Sequence, residues 1–242
     1  EYAIVITGSS LAARVPTEDL PEGFYNLAMV GDGALTGLEI VARSPAAAPL
    51  VLIEVNNSLF REVDQALLER TFRPINVQLR AWFPAFGDTY QPVGIACRII
   101  RARLGFGESG SDMELPPKVY DEVFGLQQRY HDRVPRPKEL TAMLDPLEAA
   151  VQRVQARGTR VAFFEVPMAP ALDDSPMSTT IRGALAQRFP PQRYSWLPRA
   201  DARLYETRDG RHLRSASARQ FAAFLCREAS RVMSMGAGQG GA

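Results

Sequence analysis

The fold of this chain is decided by one stretch near its start, Tyr2-Ala3-Ile4-Val5-Ile6-Thr7-Gly8-Ser9-Ser10-Leu11. The uncharged run over residues 2–7 predicts a buried parallel strand, and the glycine that follows it predicts a turn. In open parallel α/β sheets, ligands bind beyond the carboxyl ends of the strands. The turn that carries Ser9 and Ser10 is therefore the first place in the chain where chemistry is expected.

The same order of strand, turn and helix repeats along the chain. Further strands are predicted over residues 23–30, 49–55, 160–166 and 194–197. Helices are predicted over residues 34–43, 59–70, 139–157, 179–188 and 215–233. Ser58 is the expected N-cap of the second helix, Asp145-Pro146 a possible break in the third, and Gly158 its stop. The pattern predicts an α/β fold, a three-layer α/β/α sandwich with about five parallel strands.

The middle of the chain departs from this alternation. Residues 71–137 are predicted to form a partly helical insertion after the third strand, with helices over 93–104 and 117–129 and a loop between them. Its aromatic residues are expected to pack in the core or a lid, or alternatively to line a sugar-binding cleft: Trp82, Phe83, Phe86 and Tyr90. Residues 1–235 are expected to form one domain, and the glycine-rich segment 236–242 a disordered tail.

Composition excludes several classes of function. A net charge of +1 gives no overall field suited to nucleic acid or an anionic membrane. No stretch has the length of a transmembrane helix. Cys97 and Cys226 are expected to be two buried thiols, with a single long-range disulfide as the alternative in an exported protein. Because the chain begins with Glu1, a trimmed or mature form is expected.

Neither a metal nor a cofactor is expected. Histidine, cysteine and carboxylate residues do not cluster at ligand spacing, and neither a dinucleotide fingerprint nor a P-loop is present. His131 follows charged and aromatic residues near the end of a predicted helix, so a solvent-facing side chain is expected. Asp173 and Asp174 are expected to be loop carboxylates.

Polar residues follow several of the predicted strands. Gly8-Ser9-Ser10 follows the first, Gly31-Asp32-Gly33 the second and Asn56-Asn57 the third, and Asp209 and His212 come after the last. Taken singly, these segments are typical of turns, helix caps or a phosphate site at a helix N-terminus. Because the carboxyl ends of parallel strands share one edge of the sheet, we expect them to meet there.

Together these residues are the parts of a serine hydrolase. Ser10, expected at the start of a helix, is the candidate nucleophile, and His212 is the base that accepts its proton. Asp209 would hold the correct imidazole tautomer and stabilise the imidazolium. The N–H groups of Ser10 and Gly31 and the side-chain amide of Asn56 are candidate donors to an oxyanion.

The chain resembles the SGNH hydrolase superfamily, also called GDSL-type esterases, in four blocks that occur in family order. Residues 8–11 match the first block, 26–32 resemble the second, 53–57 resemble the third, and Asp209-Gly210-Arg211-His212-Leu213 matches the last. The resemblance implies Ser10 as nucleophile, Gly31 and Asn56 as oxyanion donors, and Asp209 and His212 as the rest of the triad. Three positions depart from the family pattern: Ser9 stands where the family usually has Asp, Glu54 where it has Gly, and Asn57 where it has Asp.

The Gly-Ser-Ser first block looks more like that of SGNH-type domains in bacterial envelope proteins than like that of ordinary esterases. That likeness implies a hydrolase or acyltransferase acting on acetyl groups of a carbohydrate or exopolysaccharide, with partners in envelope polysaccharide synthesis. It also implies a periplasmic or exported location, with a membrane tether in the full-length protein. The three departures motivate an alternative, a non-catalytic SGNH-like domain that binds polysaccharide or a partner.

Overall fold

The computed structural model describes residues 2–73 and 115–237 and contains a five-stranded parallel sheet. The strands are β1 Ile4–Thr7, β2 Phe24–Asn26, β3 Leu50–Glu54, β4 Arg160–Phe164 and β5 Ser195–Trp196. Their order in the sheet is β2-β1-β3-β4-β5, and every neighbouring pair is parallel. The predicted α/β class with five parallel strands is confirmed.

The described ranges also contain seven α-helices. They are α1 Ala34–Arg43, α2 Gln65–Phe72, α3 Pro117–His131, α4 Pro137–Gln155, α5 Pro170–Asp173, α6 Pro176–Arg188 and α7 Ser215–Ala237. Helix α1 has the predicted bounds. Helix α7 extends beyond residue 233 to Ala237, and the rest of the predicted tail lies outside the described residues. The predicted helix over 93–104 and the four aromatic residues of the insertion also lie outside the described residues.

Two predictions about helix ends are wrong. The helix expected from residue 59 with Ser58 as its cap is replaced by a 3-10 helix, Asn57–Phe60. Helix α2 then begins at Gln65, because the Asp64 side chain accepts a hydrogen bond of 2.8 Å from the Leu67 N–H. The possible break at Asp145-Pro146 does not occur: α4 runs through Pro146, and Met143, Leu147 and Val151 lie on one buried face of the helix.

The sheet is covered on both faces, as its near-continuous apolar strands require. Alternate strand residues such as Val51 and Phe163 pack into one core with helices α1, α4 and α6. Their neighbours along the strands, such as Leu52 and Phe164, pack into a second core with α7 and with the segment after β1. The result is the three-layer α/β/α sandwich.

The chain divides into two compact units. One comprises Glu1–Val63 with Leu115–Ala242 and holds the whole sheet, and the other is Asp64–Glu114, of which only α2 and its flanks are described. Within the first unit, β1 lies between β2 and β3, so the chain leaves β1 on one side and returns on the other. That reversal is the topological switch point at which α/β sheets bind their ligands.

Helices of membrane-spanning length and hydropathy do not occur in the described ranges. Cys226 is a free thiol within the part of the chain described, and burial raises its pKa to about 11. Cys97 lies outside that part, so the alternative of a disulfide between the two stays untested.

Candidate active site

Ser10 lies in the turn that follows β1. Residues Ala12–Arg14 form a single 3-10 helix after it, so the longer helix expected to begin at Ser10 is replaced by a tight turn. The Ala13 N–H donates to the Ser9 carbonyl at 2.9 Å and closes this turn. Ser10 is partly exposed, whereas Ser9 beside it is buried. The turn therefore presents the second of the two serines to solvent.

Asp209 and His212 lie in a hairpin-like loop between β5 and α7. An antiparallel bridge joins Thr207 to Leu213, and the Arg208 N–H donates to the His212 carbonyl at 2.8 Å. Gly210 has a φ of +87°, and a Cβ there would lie 2.5 Å from the Phe124 ring of α3. Glycine is required at this position by both the backbone conformation and the lack of space.

Three of the five predicted site residues are joined by hydrogen bonds. The Ser10 hydroxyl oxygen lies 3.0 Å from His212 Nε2, although 202 positions separate the two residues in sequence. His212 Nδ1 lies 2.7 Å from Asp209 Oδ2. Because an ionised carboxylate only accepts, Nδ1 carries the proton, and the lone pair of Nε2 faces the Ser10 hydroxyl. Serine, histidine and aspartate are hydrogen-bonded in the same order in a hydrolytic triad.

The environment of Asp209 keeps its carboxylate charged. Burial raises the pKa of this group, but hydrogen bonds from the His212 ring, the His212 N–H and the Arg211 N–H outweigh burial and hold the pKa well below its ordinary value. The two backbone bonds measure 2.8 and 3.0 Å and both reach Oδ1. Asp209 therefore fixes the loop with one oxygen and the imidazole with the other.

Gly31 and Asn56 lie at the same edge of the sheet, on opposite sides of β1. The chain after β2 stays beside β1 through a 3.1 Å bond from the Met29 N–H to the Gly8 carbonyl, and Gly31 follows with a φ of +96°. Its carbonyl accepts a hydrogen bond from Arg61. Neither Gly31 nor Asn56 is hydrogen-bonded to the triad in the described residues.

Asn56 is buried and held by the backbone of Val166, beyond β4. Its Nδ2 donates to the Val166 carbonyl at 3.0 Å, and its Oδ1 accepts from the Val166 N–H at 2.9 Å. These two bonds fix the amide plane and use one of the two Nδ2 hydrogens. The side chain is thus a rigid donor at the carboxyl end of β3.

Sequence reasoning missed the contact between Ser9 and Glu54. The Ser9 hydroxyl lies 2.9 Å from both carboxyl oxygens of Glu54, and the Ser9 N–H donates to Oε2 at 2.7 Å. Glu54 is fully buried. A charged residue that ends an otherwise apolar buried strand needs polar partners, and that signal could have revealed the contact.

Asn26, at the end of β2, also supports the Ser10 turn. Its Nδ2 donates to the carbonyl of Ala12, the first residue of the 3-10 helix, at 3.0 Å and to the carbonyl of Val15, its C-cap, at 3.1 Å. The sequence blocks alone do not reveal this role of Asn26.

The prediction that Asp173 is a loop carboxylate is wrong, because Asp173 is the buried last residue of α5. It pairs with Arg199, while Glu165 receives Arg182 at 2.7 to 3.1 Å. Burial raises the pKa of Asp173, and the Arg199 guanidinium opposes that rise. Asp174 lies in the turn after α5, as predicted, and is exposed. Across residues 2–73 and 115–237, acidic, histidine and cysteine side chains do not gather into a metal-binding group.

The prediction that His131 faces solvent is wrong. Its side chain is fully buried at the end of α3, and Nδ1 lies 3.3 Å from the Ser175 hydroxyl, the N-cap of α6. Burial and, after it, the nearby Arg211 charge lower its pKa to about 4, against the opposing effects of the Leu172 carbonyl and Asp132. Exposure of a helix-end histidine could not be judged without knowing what packs on the helix.

The buried His131 should make stability depend on pH. Because its pKa is about 4 in the folded chain and 6.5 in the unfolded chain, the unfolded chain binds more protons between these values. The contribution of His131 to the free energy of unfolding should therefore be complete above pH 6.5. It should be lost towards pH 4, which lowers the free energy of unfolding by at most about 3 kcal/mol. Urea unfolding across this window should show a flatter pH dependence for His131→Gln than for the parent. Parallel curves for the two proteins would contradict the prediction.

Comparisons with protein-family models, with curated proteins and with solved structures gave no match. The resemblance to the SGNH hydrolases therefore rests on the four sequence blocks.

Proposed function

We propose that this protein is a serine-dependent acyl-ester hydrolase or acyltransferase of the SGNH type that works through an acyl-enzyme on Ser10. The observation that carries the proposal is the hydrogen-bonded series from Ser10 Oγ to His212 Nε2 at 3.0 Å and from His212 Nδ1 to Asp209 at 2.7 Å. Nucleophile, base and orienting carboxylate at these distances, with the base partly open to solvent, are what acyl transfer to serine requires.

The first half-reaction forms the acyl-enzyme. Ser10 Oγ attacks the ester carbonyl carbon while its proton passes to His212 Nε2, and Asp209 stabilises the imidazolium that results. His212 then gives this proton to the departing alcohol oxygen as its bond to the carbonyl carbon breaks. In the second half-reaction, His212 takes a proton from water or from an acceptor hydroxyl as that oxygen attacks the acyl carbon. The bond between Ser10 Oγ and the acyl carbon then breaks, and His212 returns the proton to Oγ.

The oxyanion formed in each half-reaction needs hydrogen-bond donors at the same edge of the sheet. Within the described chain, the N–H groups of Ser10 and Gly31 donate to no other protein group, and the second Nδ2 hydrogen of Asn56 is also unused. Gly31 and Asn56 follow the two strands that flank β1. This arrangement supports their assignment as oxyanion donors.

The substrate class follows from the resemblance. We assign the activity to small acyl groups, acetyl above all, carried by a carbohydrate or exopolysaccharide in the bacterial envelope, with synthesis proteins as partners and a periplasmic or exported location. Hydrolysis and transfer use the same triad and differ only in whether water or a sugar hydroxyl is the acceptor. Because His212 carries both proton transfers, the proposed chemistry needs no metal and no organic cofactor.

Trapping of the acyl-enzyme tests the proposal. The protein should be mixed with 4-nitrophenyl acetate, quenched in acid and digested, and the mass of the peptides should show one acetyl group on Ser10 and none on Ser9. Release of nitrophenol should begin with a burst that matches the amount of enzyme. An unlabelled Ser10, with nitrophenol released only at the rate in buffer, would overturn the proposal and leave the non-catalytic binding domain as the better account.

A further inference from the structure

Glu54 organises the turn that carries Ser10. It is the last residue of β3 and is fully buried, and residues of this turn donate hydrogen bonds to its carboxyl group. Oε2 accepts from the Ser9 N–H at 2.7 Å and from the Ala12 N–H at 3.3 Å, and the Ser9 hydroxyl lies 2.9 Å from both oxygens. Glu54 therefore holds the chain on both sides of Ser10.

The backbone of the turn passes unusually close to this side chain. A Cβ placed on Gly8 would lie 2.6 Å from Glu54 Oε2 and 2.9 Å from Glu54 Cβ. Only glycine leaves room for the carboxyl group at this point. A buried carboxyl group needs hydrogen-bond donors, and here the turn supplies them. The Glu54 carboxyl group and the backbone of the turn therefore fix each other's positions.

We infer that Glu54 is a positioning residue for the Ser10 nucleophile, an inference that rests on the proposed function. The position of the Ser10 hydroxyl, 3.0 Å from His212, depends on the turn that Glu54 ties to β3. A misplacement of about 1 Å in such a contact is sufficient to lower a rate by about 10²-fold. Arg211, beside His212, also connects Glu54 with the triad electrostatically, since its charge interacts with both Asp209 and Glu54.

Ser9 and Glu54 are moreover a coupled pair. These are two of the three positions at which the chain departs from the SGNH pattern, and they are in direct contact. In this chain the carboxyl group of the pair belongs to Glu54, on the strand. In the family pattern the carboxyl group would belong to the residue at position 9, on the turn. An Asp at position 9 has donors within reach, because the Ser9 hydroxyl already accepts from the Leu11 N–H at 3.2 Å. The two departures thus compensate for each other and do not argue against catalysis.

A double-mutant cycle tests both statements, with kcat and KM for 4-nitrophenyl acetate and thermal unfolding as readouts. Glu54→Ala should lower kcat by about 10²-fold with KM within about twofold, because substrate binding does not use this residue. Ser9→Asp alone should also lower kcat, since it places a second carboxyl group against Glu54. Ser9→Asp/Glu54→Ala should exceed Glu54→Ala by about tenfold in kcat, because the carboxyl group returns from the other side.

Controls separate positioning from stability. Glu228→Ala removes another buried carboxylate, one that pairs with Arg227 and Arg231 on α7, and should leave kcat unchanged even if it lowers the melting temperature. If Glu54→Ala does not fold, Glu54→Gln keeps the shape of the side chain and should still lower kcat by about tenfold at unchanged KM.

The outcomes distinguish the inference from the function on which it rests. Equal kcat for an active parent and its Glu54 variants would overturn the positioning role alone. A double variant no more active than Glu54→Ala would overturn the coupling. A parent that neither hydrolyses the ester nor becomes acylated would overturn the proposed function and the positioning role together.

Discussion

Replacement of Ser10 by alanine should lower kcat for 4-nitrophenyl acetate by about 10³-fold to 10⁶-fold. The variant loses the only atom that can form the proposed acyl-enzyme, while His212 and Asp209 keep their mutual hydrogen bond of 2.7 Å. The residual rate would come from oxyanion donors and from water activated by His212. Initial rates of nitrophenol release at saturating ester measure the effect.

A matched serine variant keeps this result interpretable. Ser234 is exposed on α7 and bonds only to the Arg231 carbonyl within the described chain, so Ser234→Ala should match the parent in kcat and in melting temperature. If Ser10→Ala keeps the activity of Ser234→Ala, nitrophenol release comes from another group, and the triad is not the catalytic centre.

Replacement of Asp209 by asparagine should lower kcat by about 10³-fold to 10⁴-fold while the loop keeps its shape. The asparagine oxygen can still accept from the N–H groups of Arg211 and His212, which now lie 3.0 and 2.8 Å from Oδ1. Its NH₂ group, however, would face His212 Nδ1 and favour the tautomer with the proton on Nε2. In that tautomer His212 cannot accept the proton of Ser10.

The pH dependence of the parent sharpens this prediction. Since the pKa of Asp209 lies well below its ordinary value, its carboxylate stays charged across the neutral and mildly acidic range, and the activity of the parent should show no acid limb from this group. Asp201→Asn is the control, because Asp201 is exposed and pairs only with Arg203 in the described residues. An Asp209→Asn protein as active as Asp201→Asn would show that the carboxylate has no part in the reaction.

Sequence reasoning located the strands and the strand ends because both depend on local patterns. Apolar runs that end in glycine or asparagine are read directly, and the parallel sheet brings their carboxyl ends to one edge. That rule was sufficient to predict the meeting of Ser10 and His212 across 202 positions. It was also sufficient to place Gly31 and Asn56 at that edge, although their roles stay proposals.

The failures share a physical cause, which is packing between segments far apart in sequence. His131 is buried because α6 presents Ser175 to it, and α4 continues through Pro146 because its buried face lies against the sheet. In sequence, Ser9 and Glu54 are two separate departures from the family pattern, and only the packing of the turn on the end of β3 shows that they are in contact. Local propensity contains no information about such partners.

The separation of Ser10 from its base also has a consequence for the order of events during synthesis. Residue 10 is made early, whereas residue 212 follows 202 positions later, so under the proposed function a growing chain would display Ser10 without the histidine that activates it. Reactivity would therefore arise late, after the central sheet can form and when the loop at residues 207–213 docks beside the first strand. Under the proposed function, a partly made chain would in this way be protected from premature reaction with esters around it.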